Sequence, residues 1–495
     1  MKTFRYLFLT IGLILMAGSC TLEREDYNEI YKDNFFRSEN DFKLAVTSLY
    51  HSFNTNWLSN DEGVYCSNNQ GYQVFTEMTT DALWCTWGWE WDDLHLHKWY
   101  ANKSGGEMSI FWKAFARYNY LSAARNVIRN IEASDVTETI KKRYIAEAKT
   151  LRAWMAVYLY DLFGTVPVAP DDVLDNPEEF VYLGRLSEAE YETMVVDELT
   201  YAIENLPATA TERGRLTKGA ARMLLLKFYM IKKNFNKALP IARDLYNMES
   251  EGIYTLLPDY NSVFTKENMG NRELILVIPT NVTNMPNYWT PHVIPTNYPY
   301  PAPNASNWGA FRMPWDFYDT YEEGDERLNN IISSYTATDG TLVTRGKGEL
   351  TIGALPAKYG VDMEQTGAAT GIDVVVYRFA DVLLSLAECI NETSEGPTTE
   401  AIALVDRVRE RSGLDGLSAA ATVDKQVFND AILLERGHEF YGEGLRRQDL
   451  IRHGKYITSA QIRPGNQTDI HKVKFPIPTS FIIESKDAIV QNDGY

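Results

Sequence analysis

Apolar residues recur at helical spacing along most of this chain. In "SENDFKLAVTSLYHSF", Phe42, Ala45, Val46 and Leu49 fall on one face, and Ser38 stands where a helix N-cap belongs. The same period runs through about 107–131, 138–163, 187–206, 217–232, 235–249, 373–391, 399–412 and 425–442. Patches with strand character are few and scattered, "ELILVIP" at 273–279 being one. The pattern predicts a mostly helical chain with irregular inserts.

Several of these helices fall into hairpin-like pairs. In "TKGAARMLLLKFYMIKKNFNKALPIARDLYN", Leu225, Tyr229 and Ala238 take positions where a tetratricopeptide repeat wants Leu, Tyr and Ala, while Leu226 stands where it wants a small residue. The pair from 373 to 412 fits in the same degenerate way through Leu383, Leu386, Ala387 and Ile390. The expectation is an all-α, tetratricopeptide-like scaffold, a right-handed stack of helix pairs.

Two stretches break the helical pattern. Residues 79–99, "TTDALWCTWGWEWDDLHLHKW", hold five of the eleven tryptophans. Trp87, Trp89 and Trp91 alternate with Gly88 and Glu90, so an extended backbone would turn all three to one face. Gly71, Gly88 and the pair Asp92–Asp93 argue against a helix there. The indoles either pack into the core or form a platform for a flat, polar-rimmed ligand. The second stretch, Pro279 to Trp315, carries eight of the nineteen prolines, six asparagines, and Tyr288, Trp289, Tyr298, Tyr300, Trp308, Phe311 and Trp315. Proline stiffens such a loop and lowers the cost of holding aromatics for a ligand. Asparagine amides offer donors and acceptors to hydroxyl groups. Trp112 and Trp154, on helix patterns, are expected in the core, as is Trp315.

The N-terminus reads as an export signal. Lys2 and Arg5 precede the apolar run "YLFLTIGLILM", and Ala17-Gly18-Ser19 lead into Cys20. This layout resembles a bacterial lipobox, so residues 1–19 are expected to be a lipoprotein signal peptide and Cys20 the lipidated first residue. Residues 20–37 read as an acidic tether and 38–495 as one domain, with inserts at about 55–106 and 279–372. The formal charge of −19 disfavours nucleic acid and anionic lipid surfaces. Cys66, Cys85 and Cys389 form neither a disulfide framework nor a zinc site. Cys66 and Cys85 could bridge, and Cys389 reads as a buried thiol.

At "RYIAEAKTLRAWMAVYLYDLFGTVPV" (143–168) the chain resembles the SusD/RagB family of nutrient-binding outer-membrane lipoproteins, through Ala146, Glu147, Ala148, Leu151, Arg152, Ala153, Tyr158, Leu162, Phe163, Gly164, Val166 and Pro167. "VVVYRFADVLLSLAECINE" is similar to a second family helix, with Asp381 in place of the usual glutamate. "LLERGHEFYGEGLRRQDLIRHG" resembles a third segment through Glu435, Arg436, Glu439, Glu443, Gly444, Arg446, Asp449, Leu450 and Arg452. The ending "FPIPTSFIIESKDAIVQNDGY" is similar to the family's terminus. The resemblance implies a helical fold around four tetratricopeptide-like pairs. It also implies a lipid-anchored protein on the outer face of the outer membrane, lidding a SusC-like TonB-dependent transporter.

Glu435 and Glu439, one helical turn apart, tempt a glycosidase reading. Arg436, Arg446, Arg447, Asp449 and Arg452 crowd the same segment, which suits an ion-pair network tying the last helix down. "HLH" at 95–97 could ligate a metal, but without another cysteine or histidine cluster a surface role is favoured. No phosphate loop, G-x-S-x-G or H-E-x-x-H appears. No catalytic residue, metal or cofactor is therefore expected. Sugar rings present C–H faces to indoles and hydroxyls to planar polar groups, and the resemblance places a glycan site on these two inserts. The expected function is capture of oligosaccharide at the cell surface and its delivery to the transporter. Trp84, Trp87, Trp89, Trp91, Tyr288, Trp289, Tyr298, Asn307 and Trp308 are the candidate glycan-binding residues. A peptide-binding RagB-type role is the alternative, because the aromatic, asparagine-rich loop would also suit peptides.

Overall fold

Ser38 caps the first helix as the sequence predicts. Its hydroxyl accepts from the Asp41 amide at 3.3 Å, and the Asp41 carboxylate accepts from the Ser38 amide at 2.9 Å. The helix, α1 (Glu39–Tyr50), buries the four expected positions, Phe42, Ala45, Val46 and Leu49. The computed structural model describes residues 35–495 apart from 57–62, 67–70, 89, 101–108 and 467. The leader, Cys20 and all but the last three tether residues lie outside that description.

The helices follow the apolar period closely. After the short α2 (Tyr72–Met78) and α3 (Glu90–His95), the expected 107–131 helix divides at Arg117–Tyr118 into α4 (Ser109–Ala116) and α5 (Asn119–Glu132). Then come α6 (Glu138–Phe163), α7 (Glu188–Asn205), α8 (Lys218–Ile231) and α9 (Phe235–Asn247). A single turn, α10 (Trp289–Val293), lies in the proline-rich insert. Then follow α11 (Phe379–Thr393), α12 (Thr399–Arg411), α13 (Lys425–Phe440) and α14 (Arg446–Arg452), with short helices at Tyr456–Gln461 and Thr479–Glu484 after them. From α5 to α12 each main helix packs on the next, and α13 returns onto α11. This serial stacking is the scaffold of helix pairs that the repeats predicted. At its centre, α6 is buried on almost every side between Tyr144 and Phe163, and Ala146, Ala148, Ala153 and Ala156 let its neighbours approach.

One expected helix is partly a strand. Residues 373–391 split into β8 (Val374–Arg378) and α11, because Val374, Val375 and Val376 favour a pleated, fully buried backbone. That strand pairs antiparallel with β2 (Leu274–Ile278), with Val277 opposite Val375 and Ile278 opposite Val374. The inserts supply a second small sheet. In it β1 (Trp84–Cys85), β3 (Phe311–Pro314), β7 (Gly353–Pro356) and β4 (Ile331–Ile332) lie in that order. It stitches the tryptophan-rich stretch to the proline-rich one, with Cys85 opposite Phe311.

Beneath the C-terminal helices lies a buried ion-pair network. Arg327 reaches Glu435 at 2.6 Å and Glu439 at 3.2 Å, bridging the two carboxylates one turn apart on α13. Arg378 pairs with Glu273 and Glu443, each at 2.8 Å, and with Glu439; Arg411 also pairs with Glu439, and Lys358 with Glu443 at 2.5 Å. Arg436 reaches Asp381 at 2.7 Å and Asp449 at 2.9 Å, while Arg452 reaches Glu388 and Asp449. Burial pushes the Glu439 carboxyl up, but Arg411, Arg378 and Arg327 outweigh it and hold the group well below the usual range. Asp381, where the family resemblance has glutamate, is held at about 2: Lys227 and Arg436 overcome its burial. A carboxylate locked among guanidinium groups and sealed from solvent does not exchange protons with a substrate. The network therefore serves the fold.

Candidate functional site

Cys85 and Phe311 are paired across β1 and β3, and from that junction the two aromatic inserts build one cluster. Phe311 is its floor. His292 stacks on Phe311 at 4.7 Å with a 12° interplanar angle, and Trp91 meets Phe311 edge-on at 5.8 Å. Trp308 stands edge-on to His292 at 4.9 Å and lies parallel to Tyr288 at 6.1 Å. Trp87 closes the top, 5.5 Å from His292, 5.9 Å from Trp91 and 6.4 Å from Trp308. Exposure rises through the layers. Phe311 and His292 are buried, Trp308 is half-buried, and Trp87 is 43% exposed.

The backbone holds this arrangement. The amides of Trp308 and Gly309 both donate to the Pro291 carbonyl, at 2.8 and 3.0 Å, and the Thr86 amide donates to Ala310 at 2.9 Å. Gly309 has φ +62°, and a Cβ there would sit 2.4 Å from Pro295 Cα, so glycine is required next to Trp308. His292 Nδ1 lies 2.7 Å from the Tyr288 carbonyl oxygen, which assigns it the proton. Burial lowers the His292 pKa to about 4, so the ring is neutral at physiological pH. Histidine within an aromatic stack was missed by sequence reasoning. The available signal was its spacing, four residues after Tyr288, which places it on the same face of a helical turn.

The candidate residues separate by position. Trp87 and Trp308 are brought together at the surface, with Tyr288 buried behind Trp308. Trp91 is packed underneath, because residues 90–95 form a helix instead of the expected extended ribbon. Gly88, at φ +74°, makes the turn, and Asp92 and Asp93 then lie near the start of α3, where acidic groups suit the helix dipole. Trp84 is half-buried: it stacks on His95 at 4.2 Å and donates its indole N–H to Asp92 at 3.1 Å. Trp289 is core, 2% exposed, with its N–H on the Pro356 carbonyl at 3.1 Å. Tyr298 is partly buried against Tyr335, 5.1 Å away and outside the Trp87–Trp308 contacts. Asn307 is buried beside Trp308, and its side-chain oxygen accepts from Gln365 at 3.1 Å, leaving the NH2 as its donor. Trp89 lies outside the described residues.

Other expectations are corrected. His95 and His97 are buried, not at the surface. His97 contacts Thr468 at 2.7 Å and the Thr79 carbonyl at 2.8 Å, and burial together with Arg463 lowers both pKa values, that of His95 to about 3. Among the described residues no group of three His, Cys, Asp or Glu side chains could hold a metal ion. Trp112 is 49% exposed, since Phe111, Ala114 and Phe115 take the inner face of α4 and leave it leaning on Phe481. Trp154 and Trp315 are core as expected. No disulfide joins Cys66 to Cys85; both, with Cys389, are buried, and burial pushes the Cys85 thiol up to about 12.

A serial stack of helix pairs carrying an aromatic cluster on inserted loops defines a scaffold-type binding protein. Comparison with known proteins supports a SusD/RagB family member: residues 333–495 match the sequence model of the SusD family. It is 26% identical to SusD-like protein P25 of Formosa agariphila over 94% of each chain. The fold is similar to that of a SusD superfamily protein from Parabacteroides distasonis, with TM-score 0.76, 18% identity, and 92% of this chain and 99% of the other covered. It is also similar to surface glycan-binding protein A from Bacteroides thetaiotaomicron in complex with laminarihexaose, with TM-score 0.72, 20% identity, and 92% and 99% covered.

Proposed function

We propose that this protein is a non-catalytic glycan-binding lipoprotein whose binding surface is the Trp87–Trp308 pair. The observation that carries the reading is the meeting of two inserts, distant in sequence, in one partly exposed indole pair on a rigid base. Oligosaccharide capture needs such a surface: C–H faces stack on the indoles, and planar polar groups serve the hydroxyls. The relative solved with laminarihexaose supports the ligand class. The sealed state of Glu435 and Glu439 argues against hydrolysis. Lipidation at Cys20, exposure on the outer membrane and delivery of the glycan to a SusC-like TonB-dependent transporter follow from the leader and the family. Among the described residues no helix is long and apolar enough to cross a membrane.

The test pairs affinity with stability. Trp87→Ala and Trp308→Ala should each weaken oligosaccharide binding by about 1–3 kcal/mol, roughly ten- to hundredfold, taking aromatic–base stacking as the guide. The melting temperature of Trp87→Ala should fall less than that of a core tryptophan variant, because its ring is 43% exposed. Binding of a peptide pool in preference to a glycan panel, lost in the same variants, would establish the RagB-type alternative instead.

A further inference from the structure

Helix α6 is capped at its C-terminus by Gly164, and two cationic side chains converge on that residue. Arg185 gives its Nε–H to the Thr165 carbonyl at 2.6 Å and one Nη2–H to the Phe163 carbonyl at 2.8 Å. Its Nη1 donates to the Val490 carbonyl at 3.1 Å and to Asn492 Oδ1 at 2.8 Å. A guanidinium has five N–H donors, so one is left over, on Nη2. Lys474 comes up beside it. A Cβ built on Gly164 would lie 2.9 Å from Arg185 Nη2 and 2.8 Å from Lys474 Nζ, so both cation tips border one point. Glycine, at φ +83°, keeps that point clear of any side chain.

Neither cation has an acid. Among the described residues neither forms an ion pair, and the Lys474 ammonium makes no hydrogen bond; it stands 6.0 Å from the Tyr160 ring. The acids in the neighbourhood are engaged or exposed. Glu188 accepts from Tyr160 at 2.8 Å and pairs with Lys232 at 3.1 Å, while Asp493 sits exposed on the rim. Burial lowers the pKa of both Arg185 and Lys474. Elsewhere the fold matches its buried cations: Arg378, Arg411, Arg436 and Arg452 each pair with at least two carboxylates. Capping the negative end of α6 accounts for Arg185, which meets the Phe163 carbonyl. It does not account for Lys474, whose ammonium reaches no carbonyl. Both side chains line an open cleft of about 500 Å³, together with His471 and Asn492.

The donors still unused are the three of the ammonium and one of the guanidinium. A carboxylate is best held by the two-pronged fork of a guanidinium, and here that fork is spent on backbone carbonyls and Asn492. A tetrahedral oxyanion presents oxygens in several directions and accepts from a point cation and a single N–H together. We infer that the Arg185–Lys474 pair is a binding site for a phosphate-type oxyanion, carried by a free phosphate ester or by a phospholipid headgroup. This site is separate from the indole pair and does not depend on the glycan reading.

The test is calorimetric titration, at matched ionic strength, of the chain purified without its leader and Cys20, using sodium phosphate, glycerol 3-phosphate and sodium acetate. Flotation with phosphatidylcholine vesicles, with and without phosphatidic acid, forms the second arm. Phosphate or glycerol 3-phosphate should bind with a dissociation constant at or below about 1 mM, weakened at least about tenfold in Lys474→Gln and held within a few fold in Lys474→Arg. Flotation with phosphatidic acid alone, lost in Lys474→Gln and without binding of the free esters, assigns the lipid source. In anion-free buffer Lys474→Gln should melt no lower than wild type, because it removes an unmatched charge. A clearly lower melting temperature would assign Lys474 to the fold and overturn the inference. Binding only above about 10 mM and unchanged in Lys474→Gln means an adventitious ion only, and also overturns it. Acetate binding as tightly as phosphate overturns the tetrahedral assignment, and no binding in either arm overturns the site.

Discussion

Replacing Arg378 with Met offers a sharp test of what the buried ion pairs contribute. The guanidinium is fully buried and pairs with Glu273, Glu439 and Glu443, with Phe440 stacked 4.6 Å from it. Each carboxylate has a second cation: Arg411 for Glu273, Arg411 and Arg327 for Glu439, and Lys358 for Glu443. The five buried acids Glu273, Asp325, Glu435, Glu439 and Glu443 face Arg327, Lys358, Arg378, Arg409 and Arg411, with Arg409 shared with the solvent-exposed Glu322. Removing one cation leaves a buried cluster with a surplus negative charge. Breaking a buried pair on one side costs about 3–5 kcal/mol, much of it the uncompensated partner. That is a large part of the ~5–15 kcal/mol by which proteins are stable. Urea denaturation followed by tryptophan fluorescence and circular dichroism should show the midpoint falling accordingly. The loss should shrink on acidification. Arg378 is one of the three cations holding the Glu439 carboxyl low, so without it the proton that neutralises the surplus binds at higher pH. Adding Glu439→Gln to Arg378→Met should restore part of the loss, as expected for directly coupled groups. A variant within about 1 kcal/mol of wild type from pH 5 to 8 would refute the assignment of a stabilising role to this cluster.

Trp289→Ala should cost about 3–5 kcal/mol of folding stability by opening a cavity beside Gly442; a melting temperature equal to wild type would show that its ring is not core. Gly309→Ala should destabilise the protein and weaken oligosaccharide binding together, since its Cβ would displace the Pro295 backbone beside Trp308; unchanged affinity would separate that turn from the site. His292 and His95, lowered to about 4 and about 3 by burial, stay neutral in the fold while the unfolded chain takes up protons below about 6.5. Stability should therefore be fully present above that value and decline as pH falls toward 4, by up to roughly 3 kcal/mol for His292. His292→Gln should flatten part of the decline in a pH series of melts.

Periodicity made the helices legible because a buried face imposes its spacing on the sequence. Phe42, Ala45, Val46 and Leu49 sit where the pattern put them, and α6, α7 and α12 agree with their expected spans to within a residue or two. The crowding of charge around Glu435 was readable as a network, though its remote members, Asp325, Lys358 and Glu273, carry no local mark. Where one residue type suits two roles, reading failed. Three valines before Phe379 fit a helix face and a buried strand equally well. His95 and His97 alternate as surface ligands would, yet they lie inside. The tryptophans were the hardest case, since exposure depends on which distant segment pairs beneath them. Trp91 is covered in part by Phe311, more than two hundred residues on, which lies against it.

The ion pairs of the 435–452 segment also bear on when the molecule can close. Their partners are drawn from the length of the chain: Asp81 for Arg446, Asp161 for Arg447, Asp325 on Arg327 for Glu435, and Asp381 and Glu388 for Arg436 and Arg452. Asp81, Asp161 and Glu388 meet cations that leave the ribosome long after them, whereas Asp381 also has the earlier Lys227 and Asp325 the adjacent Arg327. A chain emerging from its N-terminus holds unmatched charge until this stretch arrives. The C-terminal segment thus supplies, last in chain order, cations that earlier helices use, as a keystone completes an arch.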